Sequence, residues 1–192
     1  MNIARVLYPV KVLGPGNRIG IWVCGCHRAC PGCSNPELWY ERPEYEISID
    51  QLMELINTVK KTNDIDGFTI TGGEPMNQAP ALSILVDRLS EVSEDILVYS
   101  GYRLDELKDR DFDTQAVLDK IAVLIDGEYI EERNNDSRLR GSSNQEIHIL
   151  NSKFASIYQE YLDGGHNQIQ NFTTSDGIVS VGIHRKGFSL RG

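Results

Sequence analysis

Residues 18–33 read RIGIWVCGCHRACPGC, an apolar run that leads directly into a loop holding all four cysteines of the 192-residue chain. The apolar run predicts a buried β-strand that delivers the chain to this cysteine loop. Inside the loop, Cys26, Cys30 and Cys33 have the spacing C-x-x-x-C-x-x-C. Three soft thiolate ligands from one loop suit a soft metal ion or an iron–sulfur cluster. We therefore expect the chemistry of the protein to be centred on this loop.

The spacing favours a [4Fe–4S] cluster over a structural zinc ion, and it leaves both possible. Zinc sites usually combine two C-x-x-C pairs from separate parts of the chain. Here only Cys30 and Cys33 form such a pair. Three cysteines suit a cube held at three corners, whose fourth iron stays open to another ligand. The extra cysteine, Cys24, is predicted to be a small buried residue at the end of the incoming strand.

Composition and charge narrow the class of protein. A hydrophobic content of 40% and a charged content of 24% are typical of a globular domain. The net charge of -9 argues against a nucleic-acid or anionic-membrane partner, which an acidic surface would repel. Residues 1–12 mix polar and apolar side chains, so we do not expect them to be a signal peptide, and no apolar run approaches the roughly 20 residues that span a bilayer. We expect a cytoplasmic protein, where clustered cysteines more often bind metal than form disulfides.

Predicted strands and helices alternate along most of the chain. After the first strand at 18–23, strands are predicted at 67–71, 96–99, 122–125 and 177–183. Helices are predicted at 50–61, from Pro80 onward, at 104–108, at 114–120 and at 154–162. This alternation implies parallel strands joined by crossover helices. The strands are too few for a closed eight-stranded barrel, so we predict an α/β fold with an open, partial (β/α) barrel. We expect a single domain over 1–192, with a core of about 1–149 and a C-terminal extension of about 150–192.

A second motif, Gly72-Gly73-Glu74-Pro75, directly follows the strand at 67–71. Ligands of open parallel sheets collect at the carboxyl ends of the strands, so this motif should lie beside the cysteine loop. Its two glycines would let a ligand approach the backbone, and the Glu74 carboxylate could accept hydrogen bonds from an ammonium group. Alone, the motif would usually be a turn before a helix. In this order after the cysteine loop, it is a specific signal.

Together, the two motifs resemble those of the radical S-adenosylmethionine (SAM) superfamily. The resemblance implies a [4Fe–4S] cluster on Cys26, Cys30 and Cys33, with the G-G-E-P segment receiving the methionyl amine of SAM. The open iron would bind the amino and carboxylate groups of SAM. An electron from the reduced cluster would then cleave SAM to methionine and a 5′-deoxyadenosyl radical.

Further segments make the resemblance narrower. The segments, in shared order, are GPGNR at 14–18, the cysteine loop with Pro31-Gly32 and Asn35-Pro36, YSGY at 99–102, LIDG at 124–127 and RGSSNQ at 140–145. From about Arg5 to Gln145 the chain resembles the activating proteins of anaerobic ribonucleoside-triphosphate reductase. Such an enzyme abstracts a hydrogen atom from a glycine of a large partner subunit and leaves a stored glycyl radical. The resemblance also implies an electron donor of the flavodoxin or ferredoxin type.

The resemblance implies a cofactor site but no catalytic side chain beyond the cluster and the SAM site. The expected SAM-binding residues are Gly32, Cys33, Ser34, Gly72, Gly73, Glu74, Pro75 and Asp126. For Asp126 the alternative is a turn residue that precedes Gly127.

Two other functions stay open at this point. The extension could cap the open side of the barrel, which would suit a radical SAM enzyme that acts directly on a small molecule or a peptide. A non-catalytic binding module stapled by zinc is the alternative from a different class.

Overall fold

The computed structural model describes residues 1–174 and 177–184, and its main element is a six-stranded sheet. The strands are β1 (Ile3–Val10), β2 (Arg18–Val23), β3 (Gly67–Gly72), β4 (Ile96–Tyr99), β5 (Val123–Asp126) and β6 (Glu146–Ile149), and they lie side by side in chain order. The four central strands, β2 to β5, are parallel, whereas β1 and β6 are antiparallel edge strands. The predicted α/β class with a parallel core is therefore confirmed. The two antiparallel edges are additional to the prediction.

Five α-helices accompany the strands in the described part of the chain. They are α1 (Ile49–Lys60), α2 (Ala79–Ser90), α3 (Leu104–Lys108), α4 (Phe112–Lys120) and α5 (Ala155–Asp163). Ser48 caps α1 through a capping box: its hydroxyl accepts a hydrogen bond from the Gln51 amide at 3.1 Å, and its own amide donates to Gln51 Oε1 at 3.0 Å. Within the described residues, none of these helices has the length and apolar content needed to cross a bilayer.

One face of the sheet packs against α1, α2 and α4. Ile19, Ile21 and Val23 of β2 point to this face, because alternate residues of a strand share a side. The helices contribute the buried side chains Leu52, Ile56, Leu82, Leu85, Val86, Leu89 and Val117. This layer is the main hydrophobic core.

The opposite face of the sheet is partly covered by the C-terminal extension. In the extension, α5 is followed by an antiparallel hairpin of β7 (Ile169–Thr174) and β8 (Gly177–Gly182). Tyr158 of α5 packs with Val123 and Ile125, and Val181 of β8 packs with Trp22. The predicted late strand is present, but it pairs with β7 rather than with the main sheet. Residues 185–192 of the predicted extension lie outside the described residues, and the single-domain assignment stays a prediction.

A buried polar network joins the amino-terminal ends of the strands to α5. The fully buried Arg18 donates from Nη1 to Asp95 Oδ2 at 2.6 Å and from Nε to Thr69 Oγ1 at 2.8 Å. The hydroxyl of Tyr158 donates to Asp95 Oδ1 at 2.7 Å. The buried charges are thus paired, as low-polarity surroundings require. The network lies at the end of the sheet away from the cysteine loop.

Candidate active site

A cavity of about 180 Å³ lies at the carboxyl ends of the parallel strands. Each central strand contributes the segment that follows it or its own last residues. These segments are the cysteine loop after β2, Gly72–Glu74 at the end of β3, Ser100–Gly101 after β4 and Gly127–Tyr129 after β5. The structure thus brings the cysteine loop and Gly72–Glu74 together at one edge of the sheet, as the sequence predicts.

The three cysteines of the C-x-x-x-C-x-x-C motif all line this cavity, together with Ser34. They are partly exposed free thiols, and the Cys33 amide donates to the Cys30 carbonyl at 3.1 Å, which closes a turn between two of them. Burial raises the pKa of the Cys30 thiol, and the neighbouring thiols Cys33 and Cys26 act in the same direction. Three thiolates that line one cavity repel one another, and the iron atoms of an iron–sulfur cluster would supply the positive charge that offsets this repulsion. The donor set therefore fits the cluster that the sequence predicts.

The distinction between a cluster and a single metal ion depends on how closely the ligands converge. In the described ranges, no three His, Cys, Asp or Glu side chains are placed to hold one metal ion. A four-iron cluster does not need such convergence, because its cysteines bind different iron atoms. The geometry by itself is therefore compatible with the cluster.

The Gly-Gly pair packs directly under the start of the cysteine loop. The Gly73 amide donates to Val23 O at 2.7 Å, and the Glu74 amide donates to Gly25 O at 2.8 Å. Gly72 has a φ of +110°, and a Cβ on Gly73 would lie only 2.6 Å from Gly25 O. Only glycine tolerates both conditions. The two glycines therefore allow the Gly-Gly-Glu-Pro motif and the cysteine loop to pack directly against each other.

The carboxylate of Glu74 ties the end of β3 to the end of β4. It is 1% exposed, and its Oε1 accepts hydrogen bonds from the Met76 amide at 3.0 Å and from the Ser100 hydroxyl at 2.9 Å. Its Oε2 accepts from the Gly101 amide at 2.7 Å. Burial raises the pKa of Glu74, and these hydrogen bonds oppose that shift. A carboxylate can accept about four hydrogen bonds, and three of those of Glu74 are taken by groups of the surrounding loops. Its contact with a SAM amine stays a prediction.

Three predicted cofactor residues are next to lining residues in the sequence but do not line the cavity themselves, and their contact with SAM stays a prediction. Among the described residues, the lining of the cavity does not include Gly32, Pro75 or Asp126. Asp126 is fully buried, and its Oδ2 accepts a hydrogen bond at 2.6 Å from the Leu104 amide at the start of α3. His148 Nε2 lies 2.9 Å from the same oxygen. Asp126 Oδ1 also accepts a hydrogen bond from the Glu146 amide at the start of β6 at 3.3 Å, so the carboxylate ties α3 and β6 to the end of β5, and its SAM contact stays a prediction.

Two donors in the cavity were not found by sequence reasoning. Among the described residues, the buried Nε of Arg28 and Nε1 of Trp39 have no hydrogen-bond partner in the protein, and both side chains line the cavity. The Arg28 guanidinium lies over the Tyr102 ring at 4.4 Å, and Trp39 O accepts from the Cys26 amide at 2.8 Å. Unpaired buried donors are costly, so a ligand rich in acceptor atoms fits this wall. A single Arg or Trp carries no sequence signal for such a role.

Comparison with known proteins first defines the class of protein. The family described as "4Fe-4S single cluster domain" matches residues 12–148. This range contains the cysteine loop, Gly72–Glu74 and all four parallel strands. The chain is therefore a [4Fe–4S] protein with a single cluster domain.

Individual relatives then define the family more closely. The chain is 35% identical over 152 residues to the anaerobic ribonucleoside-triphosphate reductase-activating protein of Escherichia coli (strain K12), covering 74% of this chain and 96% of the relative. The proteins of the same name from Haemophilus influenzae and Enterobacteria phage T4 are 39% identical over 150 residues and 32% identical over 152 residues. These matches cover 73% and 77% of this chain, and 94% and 93% of the two relatives. The chain belongs to this family of activating proteins.

Proposed function

We propose that this protein is a radical SAM activase that generates a glycyl radical on anaerobic ribonucleotide reductase. The observation that carries the proposal is the single cavity in which the three motif cysteines meet Gly72–Glu74 at the carboxyl ends of the strands. The relatives from Escherichia coli and Haemophilus influenzae are named as activating proteins of this reductase, and the matches cover 96% and 94% of their length.

In this proposal, Cys26, Cys30 and Cys33 hold the [4Fe–4S] cluster. When bound, the cluster supplies one electron to SAM, which yields methionine and a 5′-deoxyadenosyl radical that takes a hydrogen atom from a glycine of the partner. The segments Gly72–Glu74 and Cys33–Ser34 receive the methionyl end of SAM, beside the unpaired donors of Arg28 and Trp39.

In this proposal, the Glu74 carboxylate holds the neighbouring loops in place. Its three hydrogen bonds hold the loops after β3 and β4 at a fixed distance, so the cofactor meets a preformed surface. The aromatic side chains Trp22, Trp39, Tyr99 and Tyr129 also line the cavity, and they exclude water from a reactive radical.

The fold in this proposal is an open, partial barrel of the radical SAM type. It is supported by the six strands that lie in chain order in one sheet and by the cavity at their carboxyl ends. The partner is the large reductase subunit, the electron donor is of the flavodoxin or ferredoxin type, and the reaction takes place in the cytoplasm.

The test is anaerobic mixing of the reconstituted protein with the large reductase subunit, SAM and a reductant. We expect a glycyl-radical doublet in the electron paramagnetic resonance spectrum, dependent on all components. Cleavage of SAM without that doublet would contradict the activase function. Colourless protein that contains zinc instead of iron and sulfide would favour the binding module.

A second function is direct action on a small molecule or a peptide. The observation in its favour is that residues 180–184 of the extension line the cavity and enclose it further. Its mark would be SAM turnover coupled to a modified small molecule or peptide when no reductase subunit is present.

A further inference from the structure

The C-terminal hairpin lines the same cavity as the cysteines. The end of β8 and the two residues after it contribute Ser180, Val181, Gly182, Ile183 and His184 to the wall. The matching family domain ends at residue 148, so this wall is an addition to it.

The hairpin is held in place by specific contacts with the core. Val181 is 2% exposed and packs in a cluster with Val10, Leu13 and Trp22. The Gln170 side chain on β7 donates to Pro9 O at 2.7 Å and accepts from the Lys11 amide at 2.9 Å. These contacts hold the hairpin against the core, where it forms one wall of the cavity.

The far end of β8 is tied to the loop after β5. Asn134 Nδ2 donates to the His184 carbonyl at 2.8 Å, which fixes the backbone of the last described residue. The strand end is therefore held from both sides, by the core and by this loop.

The side chains at this wall are uncharged. Ser180 Oγ lies 3.0 Å from His184 Nε2, and burial lowers the pKa of His184, which keeps its ring neutral near pH 7. Val181 and Ile183 add apolar surface. The charged side chains that line the cavity, Arg28, Glu74 and Glu128, belong instead to the cysteine loop and to the segments after β3 and β5. SAM has the same division, with a charged methionyl end and an uncharged nucleoside that carries hydroxyls and a flat base.

We propose that the end of β8 completes the SAM site, with Ser180 and His184 contacting the adenosyl portion of the cofactor. This inference rests on the proposed function, because it requires SAM in the cavity. It makes the extension a specificity-determining element for the nucleoside rather than a docking surface for the partner subunit.

The test is equilibrium binding of SAM to the cluster-loaded protein, with methionine and 5′-deoxyadenosine as separate competing probes. Ser180→Ala and His184→Ala are compared with Ser156→Ala and His166→Ala, which remove the same chemical groups from exposed positions of the extension. We expect each cavity variant to weaken SAM and 5′-deoxyadenosine about 5- to 20-fold, as for a lost hydrogen bond with an unpaired partner. Methionine affinity, iron and sulfide content and the two control variants should be unchanged.

Unchanged SAM and 5′-deoxyadenosine affinities in both cavity variants would overturn the inference. A loss of glycyl-radical yield alone, with normal SAM binding, would also overturn it and would assign the wall to the partner. If an alanine variant loses iron together with affinity, the double variant Ser180→Thr/His184→Gln resolves the cause, because it keeps the hydrogen-bonding groups. It should hold the cluster and bind SAM more tightly than the alanine variants, whereas normal cluster content with SAM bound no better than in the alanine variants would overturn the inference. Failure of the proposed function is a different result, in which the wild-type protein itself neither holds the cluster nor cleaves SAM.

Discussion

Cys24 and Cys26 are two residues apart, yet their surroundings differ. Cys24 is fully buried behind the end of β2, its amide donates to Asn2 O at 2.9 Å and burial raises the pKa of its thiol. Cys26 is partly exposed and lines the cavity together with the other two motif cysteines. The surroundings therefore suit a packing role for Cys24 and a ligand role for Cys26.

Single alanine substitutions separate these roles. We expect Cys26→Ala, Cys30→Ala and Cys33→Ala each to abolish SAM cleavage, because two thiolates hold a cluster poorly. Cys24→Ala should retain iron, sulfide and cleavage, since it removes only a small buried side chain. Iron and sulfide assays and the yield of 5′-deoxyadenosine measure these outcomes. Loss of the cluster in Cys24→Ala would refute the packing role.

Glu74→Gln tests the carboxylate that joins two loops. An amide in place of the carboxylate turns one acceptor atom into a donor that faces another donor, so a buried hydrogen bond is lost. We expect a loss of about 1–3 kcal/mol in the free energy of unfolding. Urea denaturation measures it, with Glu54→Gln on the exposed side of α1 as the matched control. Equal stability of the two variants would mean that Glu74 does not hold the loops.

The wild type and Glu74→Gln should also differ in how their free energy of unfolding depends on pH. Burial raises the pKa of Glu74 above its ordinary value of 4.5, so the folded protein binds this proton more tightly than the unfolded chain. The stability of the wild type relative to Glu74→Gln should therefore fall as the pH rises from 4.5 through the raised pKa, and should level off above it. Denaturation curves over that range measure the difference. A relative stability that rises with pH would contradict the buried, raised-pKa carboxylate.

Among the secondary-structure elements, α5 is joined to the strands through the Arg18–Asp95 pair. Asp95→Ala leaves the Arg18 guanidinium buried without its carboxylate, and we expect it to cost about 3–5 kcal/mol of folding free energy. Tyr158→Phe removes one hydrogen bond to Asp95 and should cost about 0.5–1.5 kcal/mol. Chemical denaturation measures both, with the exposed Tyr40→Phe as the control, for which no change is expected. An equal cost for Asp95→Ala and Tyr40→Phe would show that the network does not stabilise the fold.

The elements that the sequence predicted share a strong local signal. The strands β2 to β5 are short apolar runs ended by glycine or polar residues, and α1 has a capping box. The edge strands β1 and β6 lack such a signal. β1 has no clean alternation of polar and apolar residues, and β6 has only four residues, all partly or fully exposed. Their pairing depends on the sheet that is already present, which a local pattern does not reveal.

At the scale of the whole molecule, the extension adds a wall to a cavity whose other walls lie in the family domain. The sequence predicted the cysteine loop and Gly72–Glu74 because both are contiguous motifs. It did not predict Ser180 or His184 as cavity residues, because they lie about 150 residues beyond the cysteine loop and meet it only through tertiary packing. The sequence also predicts Asp126 at the cofactor; its carboxylate accepts a hydrogen bond from the first residue of α3, and the cofactor contact stays a prediction.

Gln170→Ala tests whether the hairpin depends on its ties to the core. The variant loses the hydrogen bonds to Pro9 O and from the Lys11 amide, so we expect faster amide hydrogen exchange across β7 and β8 and weaker SAM binding. Gln159→Ala on the exposed side of α5 is the matched control. Unchanged exchange in the hairpin would show that its other contacts, the packing of Val181 and the Asn134 hydrogen bond to the His184 carbonyl, are enough to hold it.

The most direct test of the activase function is to follow the hydrogen atom itself. The large reductase subunit is prepared with glycine in which deuterium replaces both hydrogens on Cα. It is mixed anaerobically with this protein, SAM and a reductant. We expect deuterium in the 5′-deoxyadenosine that is released, and a radical signal whose doublet splitting collapses relative to the unlabelled subunit. Deuterium-free 5′-deoxyadenosine, formed while the partner stays without a radical, would contradict the activase function.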